Sequence, residues 1–101
     1  MIKKIIQEKI YNIFNKTFEG VSIDISDVDI VDSKKVEHGD YATNISMKYA
    51  KKLNMNPLQI AEKISNQLKS DTETFFDDVV YIKPGFINFK INSLIFNRIL
   101  K

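Results

Sequence analysis

The chain has 101 residues and a formal net charge of +2, and 44% of its residues are hydrophobic. That length suits one domain with its own apolar core. The absence of cysteine excludes a disulfide framework and a thiolate metal site, and no stretch approaches the roughly 20 apolar residues that a membrane span needs. The weak positive charge comes from lysine, with Arg98 the only arginine. Such a surface is typical of solvated lysines, so composition names no function.

The first helix is indicated by apolar residues that recur every three or four positions. These residues are Ile2, Ile5, Ile6, Ile10, Ile13, Phe14 and Phe18. Gly20 stands where a helix commonly ends in a left-handed residue. The period then shortens to two, which predicts a connection over 21–26, a strand over 27–33, a turn at Lys34-Lys35 and a short strand over 36–38.

The middle of the chain is predicted to form two helices. Gly39 breaks the preceding strand, and "GDYATN" begins a helix whose apolar face runs to Leu53. In "NMNPLQI", Asn56 suits the N-cap and Pro57 the first helical position, and this helix reaches about Lys69.

The last third of the chain is predicted to be a hairpin followed by a helix. The polar segment "SDTETFFDD" is predicted to be a loop, with Phe75-Phe76 packed beneath it. Strands over 79–82 and 86–91 are joined by a turn at Pro84-Gly85. A final helix begins at Asn92 or Ser93.

The order of these elements is helix, two strands, two helices, two strands and helix. It predicts an α+β fold, a two-layer sandwich in which helices pack on one face of a four-stranded, mainly antiparallel sheet. The other face of such a sheet can remain open. Because the last helix stops within its apolar pattern, we expect 1–92 to be one domain of a longer protein and 93–101 to begin a helix that leads onward.

The sequence contains no recognisable pattern of catalytic or metal-binding residues. His38 has no cysteine partner, and the three glycines lie too far apart for a phosphate-binding loop. The acidic residues between 24 and 32 alternate with apolar ones, which is typical of the solvent face of a strand and not of a metal site. We therefore assign no catalytic residue and no metal ligand.

The hairpin strand 86–91 has two distinct faces, because side chains alternate across a strand. One face is wholly apolar, and the other carries Phe86, Asn88 and Lys90. A ring, an amide and a cation in a row can stack on a base, bind a base edge and meet a phosphate of single-stranded nucleic acid. The alternative is that Phe86 covers a hydrophobic edge while the other two are solvated.

Three segments occur in an order that resembles a known family. They are "HGDYATNISMKYAKKL" at 38–53, "NPLQIAEKISNQL" at 56–68 and "KPGFINF" at 83–89. Together they resemble the N-terminal additional domain of arginyl-tRNA synthetase, and the resemblance covers essentially all of the chain. It implies a two-layer α+β module that precedes a class I catalytic domain and recognises the D-loop at the corner of tRNA.

The resemblance implies roles for particular residues. In the Pro-Gly-aromatic-x-Asn pattern of the family, Phe86 and Asn88 are the residues that contact a D-loop base, and some members carry Tyr at the aromatic position. Lys90 follows from strand alternation. Lys48, Lys51 and Lys52 lie on one exposed side of the predicted helix and are candidates to meet tRNA phosphates. The alternative, favoured for each lysine taken singly, is that it is only solvated. The structural motif residues are expected to be Gly39, Asp40, Tyr41, Asn44, Pro84 and Gly85, with Asp40 or Thr43 capping the helix.

The resemblance also implies what lies outside this segment. The parent enzyme would attach arginine to tRNA-Arg with ATP and magnesium. It is expected to be a cytoplasmic monomer that does not associate with a membrane. The His-x-Gly-His and Lys-Met-Ser-Lys-Ser signatures of its catalytic domain do not occur here, so we expect this segment to be inactive and to bind no cofactor. The competing hypothesis is a protein-interaction or regulatory module whose open sheet face associates with itself or a neighbouring domain.

Overall fold

A computed structural model describes residues 1–34, 39–70 and 75–100. The described helices are α1 Ile2–Thr17, α2 Ile45–Leu53, α3 Pro57–Lys69 and α4 Ser93–Leu100, and a short 3₁₀ turn covers Ile25–Asp27. The strands are β1 Ile30–Asp32, β2 Tyr41–Thr43, β3 Phe76–Ile82 and β4 Phe86–Ile91.

The four strands form one antiparallel sheet in the order β1-β2-β4-β3. The predicted α+β fold is therefore confirmed. Strand β4 is central, since it pairs with β2 on one side and with β3 on the other. The pairing of Ile82 with Phe86 closes the hairpin over Lys83, Pro84 and Gly85, which confirms the predicted turn.

The core lies between one face of this sheet and helices α1, α2 and α3. From α1 it takes the stripe Ile2, Ile6, Ile10, Phe14 and Phe18, at the helical spacing read from the sequence. From β4 it takes the three residues of one face, which are Ile87, Phe89 and Ile91. The predicted caps of the later helices are also present: Leu58 N–H donates to Asn56 Oδ1 at 2.8 Å and Leu94 N–H to Asn92 Oδ1 at 3.0 Å.

Part of the segment that was predicted to begin a helix is a strand instead. The expected strand over 36–38 lies outside the described residues, whereas Tyr41–Thr43, expected to begin a helix, pairs with both β1 and β4. The helix starts only at Ile45, with Asn44 at the N-cap position. The physical reason is that strand pairing with distant segments supplies hydrogen bonds that a local helical period cannot reveal.

Two smaller expectations at helix and strand ends are also wrong. Helix α1 ends at Thr17 and its capping residue is Phe18. Among the described residues Gly39 is the glycine with a positive φ, so Gly20 is not a left-handed cap. The first strand spans three residues, because the 3₁₀ turn Ile25–Asp27 occupies the start of the region predicted as 27–33.

Asp40 connects β2 to the central strand with two hydrogen bonds. Its backbone N–H donates to Phe89 O at 2.7 Å, and its carboxylate accepts from Ile91 N–H at 2.9 Å. Asp40 was expected to be a possible helix cap. Instead, it links β2 to β4. The preceding Gly39 has φ +89°, and a Cβ there would lie 2.5 Å from Phe89 O. Both the backbone conformation and the close approach to β4 require glycine.

We expect Gly39→Ala to lower the free energy of unfolding by about 2–3 kcal/mol, because it adds a Cβ against a backbone carbonyl at a positive φ. Urea denaturation followed by circular dichroism measures this change. Gly20→Ala is the matched control, since nothing lies within 4 Å of a Cβ at that position. Equal stability of the two variants would contradict the assigned role of Gly39.

Candidate nucleic-acid interface

The sheet face opposite the helices carries the residues that strand alternation assigned to it. Phe86, Asn88 and Lys90 occupy this face of β4, because Ile87, Phe89 and Ile91 point into the core. In the register, Asn88 lies between Ala42 of β2 and Val80 of β3.

Asn88 is buried, whereas a solvent-facing asparagine was expected. Its exposed fraction is 7%, compared with 39% for Phe86. The physical reason is its place on the central strand, where residues of β2 and β3 flank it on both sides. Asn88 therefore lies at the bottom of a groove of about 450 Å³, here called the sheet groove, whose lining is Val31, Ala42, Ile82, Phe86, Asn88 and residues 32–34.

A second cavity adjoins Phe86 at the end of the sheet nearest the start of α1. This α1 cleft has a volume of about 590 Å³ and is lined by Lys3, Lys4, Gln7, residues 28–31, Thr43, Asn44 and Phe86. Gln7 ties α1 to the wall of the cleft, since its Nε2 donates to Ile25 O and Val28 O, both at 2.9 Å. Phe86 and Val31 line both cavities.

Asn44 is the residue of the cleft whose hydrogen bonding is incomplete. Its Oδ1 is buried, and no donor among the described residues reaches it. A buried acceptor without a partner costs about 1–3 kcal/mol. The helix terminus does not use this oxygen either, because Ile45 N–H donates to Thr43 Oγ1 at 3.4 Å. Asn44 was expected to be purely structural, and its position in the cleft was not predicted.

The hairpin turn that precedes Phe86 packs against the start of α3. A Cβ on Gly85 would lie 2.8 Å from Pro57 Cβ and 3.2 Å from Pro57 O. There is thus no room for a side chain at Gly85, and the peptide bond between Lys83 and Pro84 is cis. This contact places the start of β4, and with it the ring of Phe86, at the border of the two cavities.

The three lysines of α2 are all exposed, as expected, but they differ in their interactions. Lys48 Nζ lies 2.6 Å from Asp29 Oδ2 and donates to Asp27 O at 2.8 Å, so its charge is neutralised by the segment before β1. Lys52 Nζ lies 5.5 Å from the centre of the Tyr49 ring. Lys51 is exposed. Lys48 is paired because Asp29, which is distant in the sequence, lies beside it in the fold. Helical spacing alone could not reveal this pair.

A tyrosine–carboxylate hydrogen bond holds the same segment to α2. Tyr49 Oη donates to Asp27 Oδ2 at 2.6 Å. This bond, followed by burial of the ring, raises the pKa of Tyr49 to about 12. The same bond, with the backbone N–H of Asp24 next, lowers the pKa of Asp27 below its usual value. The acidic residue Asp27 is thus structural.

Metal chemistry finds no support in the part of the chain that the structure describes, where no group of three or more His, Asp or Glu side chains could hold an ion. His38 lies outside the described residues. Among the described helices, none is long and apolar enough to cross a membrane. The arrangement offers two grooves, an exposed aromatic ring, amides and lysines, which are groups that can bind a ligand.

The family model described as "Arginyl tRNA synthetase N terminal domain" matches residues 1–91. The chain belongs to this family. Arginine–tRNA ligase of Malacoplasma penetrans is 31% identical over 100 residues, and that of Thermotoga maritima is 35% identical over 101 residues. These matches cover 99% and 100% of this chain but 17% of each relative. The chain therefore spans less than a fifth of the length of these relatives.

Two solved structures share the fold of this arginyl-tRNA synthetase N-terminal domain. The Thermus thermophilus arginyl-tRNA synthetase superposes with a TM-score of 0.78 at 22% identity, covering 97% of this chain and 15% of that one. Arginyl-tRNA synthetase from Plasmodium falciparum superposes with a TM-score of 0.74 at 26% identity, covering 96% and 17% respectively. The resemblance read from the three sequence segments is confirmed.

The Tyr49–Asp27 bond predicts a pH dependence of stability in the N-terminal domain. Because the folded pKa of Tyr49 is about 12 and an unfolded tyrosine titrates at about 10, the bond stabilises fully below pH 10, and this contribution is lost as the pH rises towards 12. Urea denaturation of the chain and of Tyr49→Phe should give stabilities that converge over that range. Tyr11→Phe, which removes another hydroxyl, is the control. A difference that stays constant from neutral pH to pH 12 would contradict this role.

Proposed function

We propose that the chain is the tRNA-binding module of an arginine–tRNA ligase and that it binds the D-loop at the corner of tRNA-Arg. The observation that carries this proposal is the exposed ring of Phe86 at the border of a groove floored by Asn88. The enzyme of which it forms part would attach arginine to tRNA with ATP and magnesium bound elsewhere. It would act in the cytoplasm as a monomer.

Base stacking is the contact that this geometry favours. A ring that is 39% exposed beside a concave surface can receive the flat face of an unpaired base. Asn88 would contribute from the groove floor, where Ala42 of β2 and Val80 of β3 lie beside it in the register. Its burial means that it also supports the sheet, so Phe86 is the cleaner residue to test.

The lysines contribute unequally to this proposal. Lys90 is exposed and lies opposite Asp78 in the β3–β4 register. Lys51 is exposed on α2, whereas Lys48 is paired with Asp29. We therefore propose Lys51 and Lys90 as peripheral phosphate contacts, and Lys48 and Lys52 chiefly as groups that stabilise the fold.

A protein-interaction module remains the second candidate, and one observation favours it. The sheet groove is bordered by exposed apolar residues, with Val31 53% exposed beside Phe86. An apolar partner would bury these side chains and depend little on salt. Binding of RNA instead releases counterions and weakens steeply as salt is raised.

We expect Phe86→Ala to weaken binding of an unmodified tRNA-Arg transcript by on the order of 1–3 kcal/mol, because it removes the stacking surface. Fluorescence anisotropy at about 50 mM and about 200 mM salt measures both the affinity and its salt dependence. Phe86→Leu is expected to lose most of the same affinity, since it keeps an apolar side chain but no aromatic face.

The control for this experiment is Leu94→Ala, which removes another exposed apolar side chain, one that lines neither cavity. Unchanged affinity in Phe86→Ala would contradict the stacking role, and salt-independent binding would favour the protein-interaction module. In an arginine–tRNA ligase that carries this domain, the variant should raise the KM for tRNA with little change in kcat, as expected for a contact that serves binding alone.

A further inference from the structure

We propose that the α1 cleft is a second nucleotide subsite, which holds the nucleotide adjacent to the one stacked in the sheet groove. The inference rests on the proposed function and adds to it a phosphate contact at Lys4 and a base-edge contact at Asn44. Neither residue was identified as an RNA contact from the sequence.

The charge of the cleft suits a phosphate. Lys4 is exposed on its rim and has no ion-pair partner among the described residues. Lys3 forms an exposed pair with Asp32, at 3.4 Å. The acidic side chain of the lining, Asp29, is already neutralised by Lys48 at 2.6 Å. The cleft therefore presents net positive charge from the first turn of α1, where a phosphate can displace water and counterions.

The polar lining of the cleft suits a base edge. Asn44 lines the cleft, and its Oδ1 has no partner among the described residues. Rotation of the amide about χ2 exchanges its oxygen and nitrogen ends, so it can offer either an acceptor or donors to a ligand.

The size and position of the cleft suit one nucleotide of the same strand. A volume of about 590 Å³ falls within the range of small-molecule sites. Phe86 and Val31 form the wall between the cleft and the sheet groove. When one base of an RNA strand stacks on Phe86, the adjacent nucleotide of that RNA can therefore enter the cleft.

The test compares Lys4→Gln with Lys16→Gln, an exposed lysine in the last turn of the same helix. Binding of the tRNA-Arg transcript should weaken about fivefold at about 50 mM salt in Lys4→Gln, and the slope of log K against log salt should fall by about one. Lys16→Gln should bind as the unmodified chain does. Identical behaviour of the two variants would overturn the subsite.

Asn44→Asp tests the base-edge contact without removing the side chain. An aspartate is favourable at the start of a helix, so α2 is retained, but its carboxylate repels the phosphate and cannot donate. We expect weaker tRNA binding by a chain that circular dichroism shows to be folded. Undiminished binding by Asn44→Asp would overturn this contact.

Phosphate-ethylation interference on the same transcript then locates the contact. The unmodified chain should be sensitive at a phosphate next to the nucleotide stacked on Phe86, and Lys4→Gln should lose that sensitivity. If Phe86→Ala weakens binding while Lys4→Gln does not, the subsite fails and the proposed function stands. If neither Phe86→Ala nor Lys4→Gln changes the affinity for tRNA while that affinity depends on salt, both the subsite and the proposed function fail.

Discussion

The pairing of β2 with the central strand β4 is the constraint on which the rest of the structure depends. Asp40 secures it from both its backbone and its carboxylate, at Phe89 and Ile91, and Gly39 allows the chain to approach closely enough. This register directs Ile87, Phe89 and Ile91 towards the helices. It thereby commits the alternate residues of β4 to the open face, since side chains alternate along a strand.

The open face owes its shape to contacts made behind it and beside it. The hairpin turn packs against Pro57 at the start of α3, which leaves the ring of Phe86 at the border of the sheet groove and the α1 cleft. On the far side of the cleft, Gln7 and the Tyr49–Asp27 bond tie the segment before β1 to α1 and α2. Contacts with the helices therefore fix the positions of the segments that line the two cavities, although only α1 contributes side chains from a helix to the lining.

The candidate site shows how an interface can be built from residues with two functions. Asn88 lies at the floor of the groove and belongs to the sheet, where it is 7% exposed between Ala42 and Val80. Phe86 is exposed and contributes little to the core. A buried floor beside an exposed ring lowers the conformational entropy that binding a flat ligand would cost, because the floor is already ordered.

Local periodicity predicted most of the fold correctly. The apolar stripe of α1, the cap of α3 at Asn56 and the hairpin about Pro84-Gly85 depend on neighbours in the chain, so their signals lie within a few residues. The family resemblance also rested on short segments of consecutive residues, at 38–53, 56–68 and 83–89.

What the sequence determined by itself was therefore the class of fold, its helices and hairpin, and the face to which Phe86 and Asn88 belong. Only the tertiary structure decided that 41–43 is a strand, that Asn88 is buried, that Lys48 is neutralised and that Asn44 lines a cleft. The physical reason is common to all four: each depends on a partner distant in the chain, and no local pattern encodes the position of that partner.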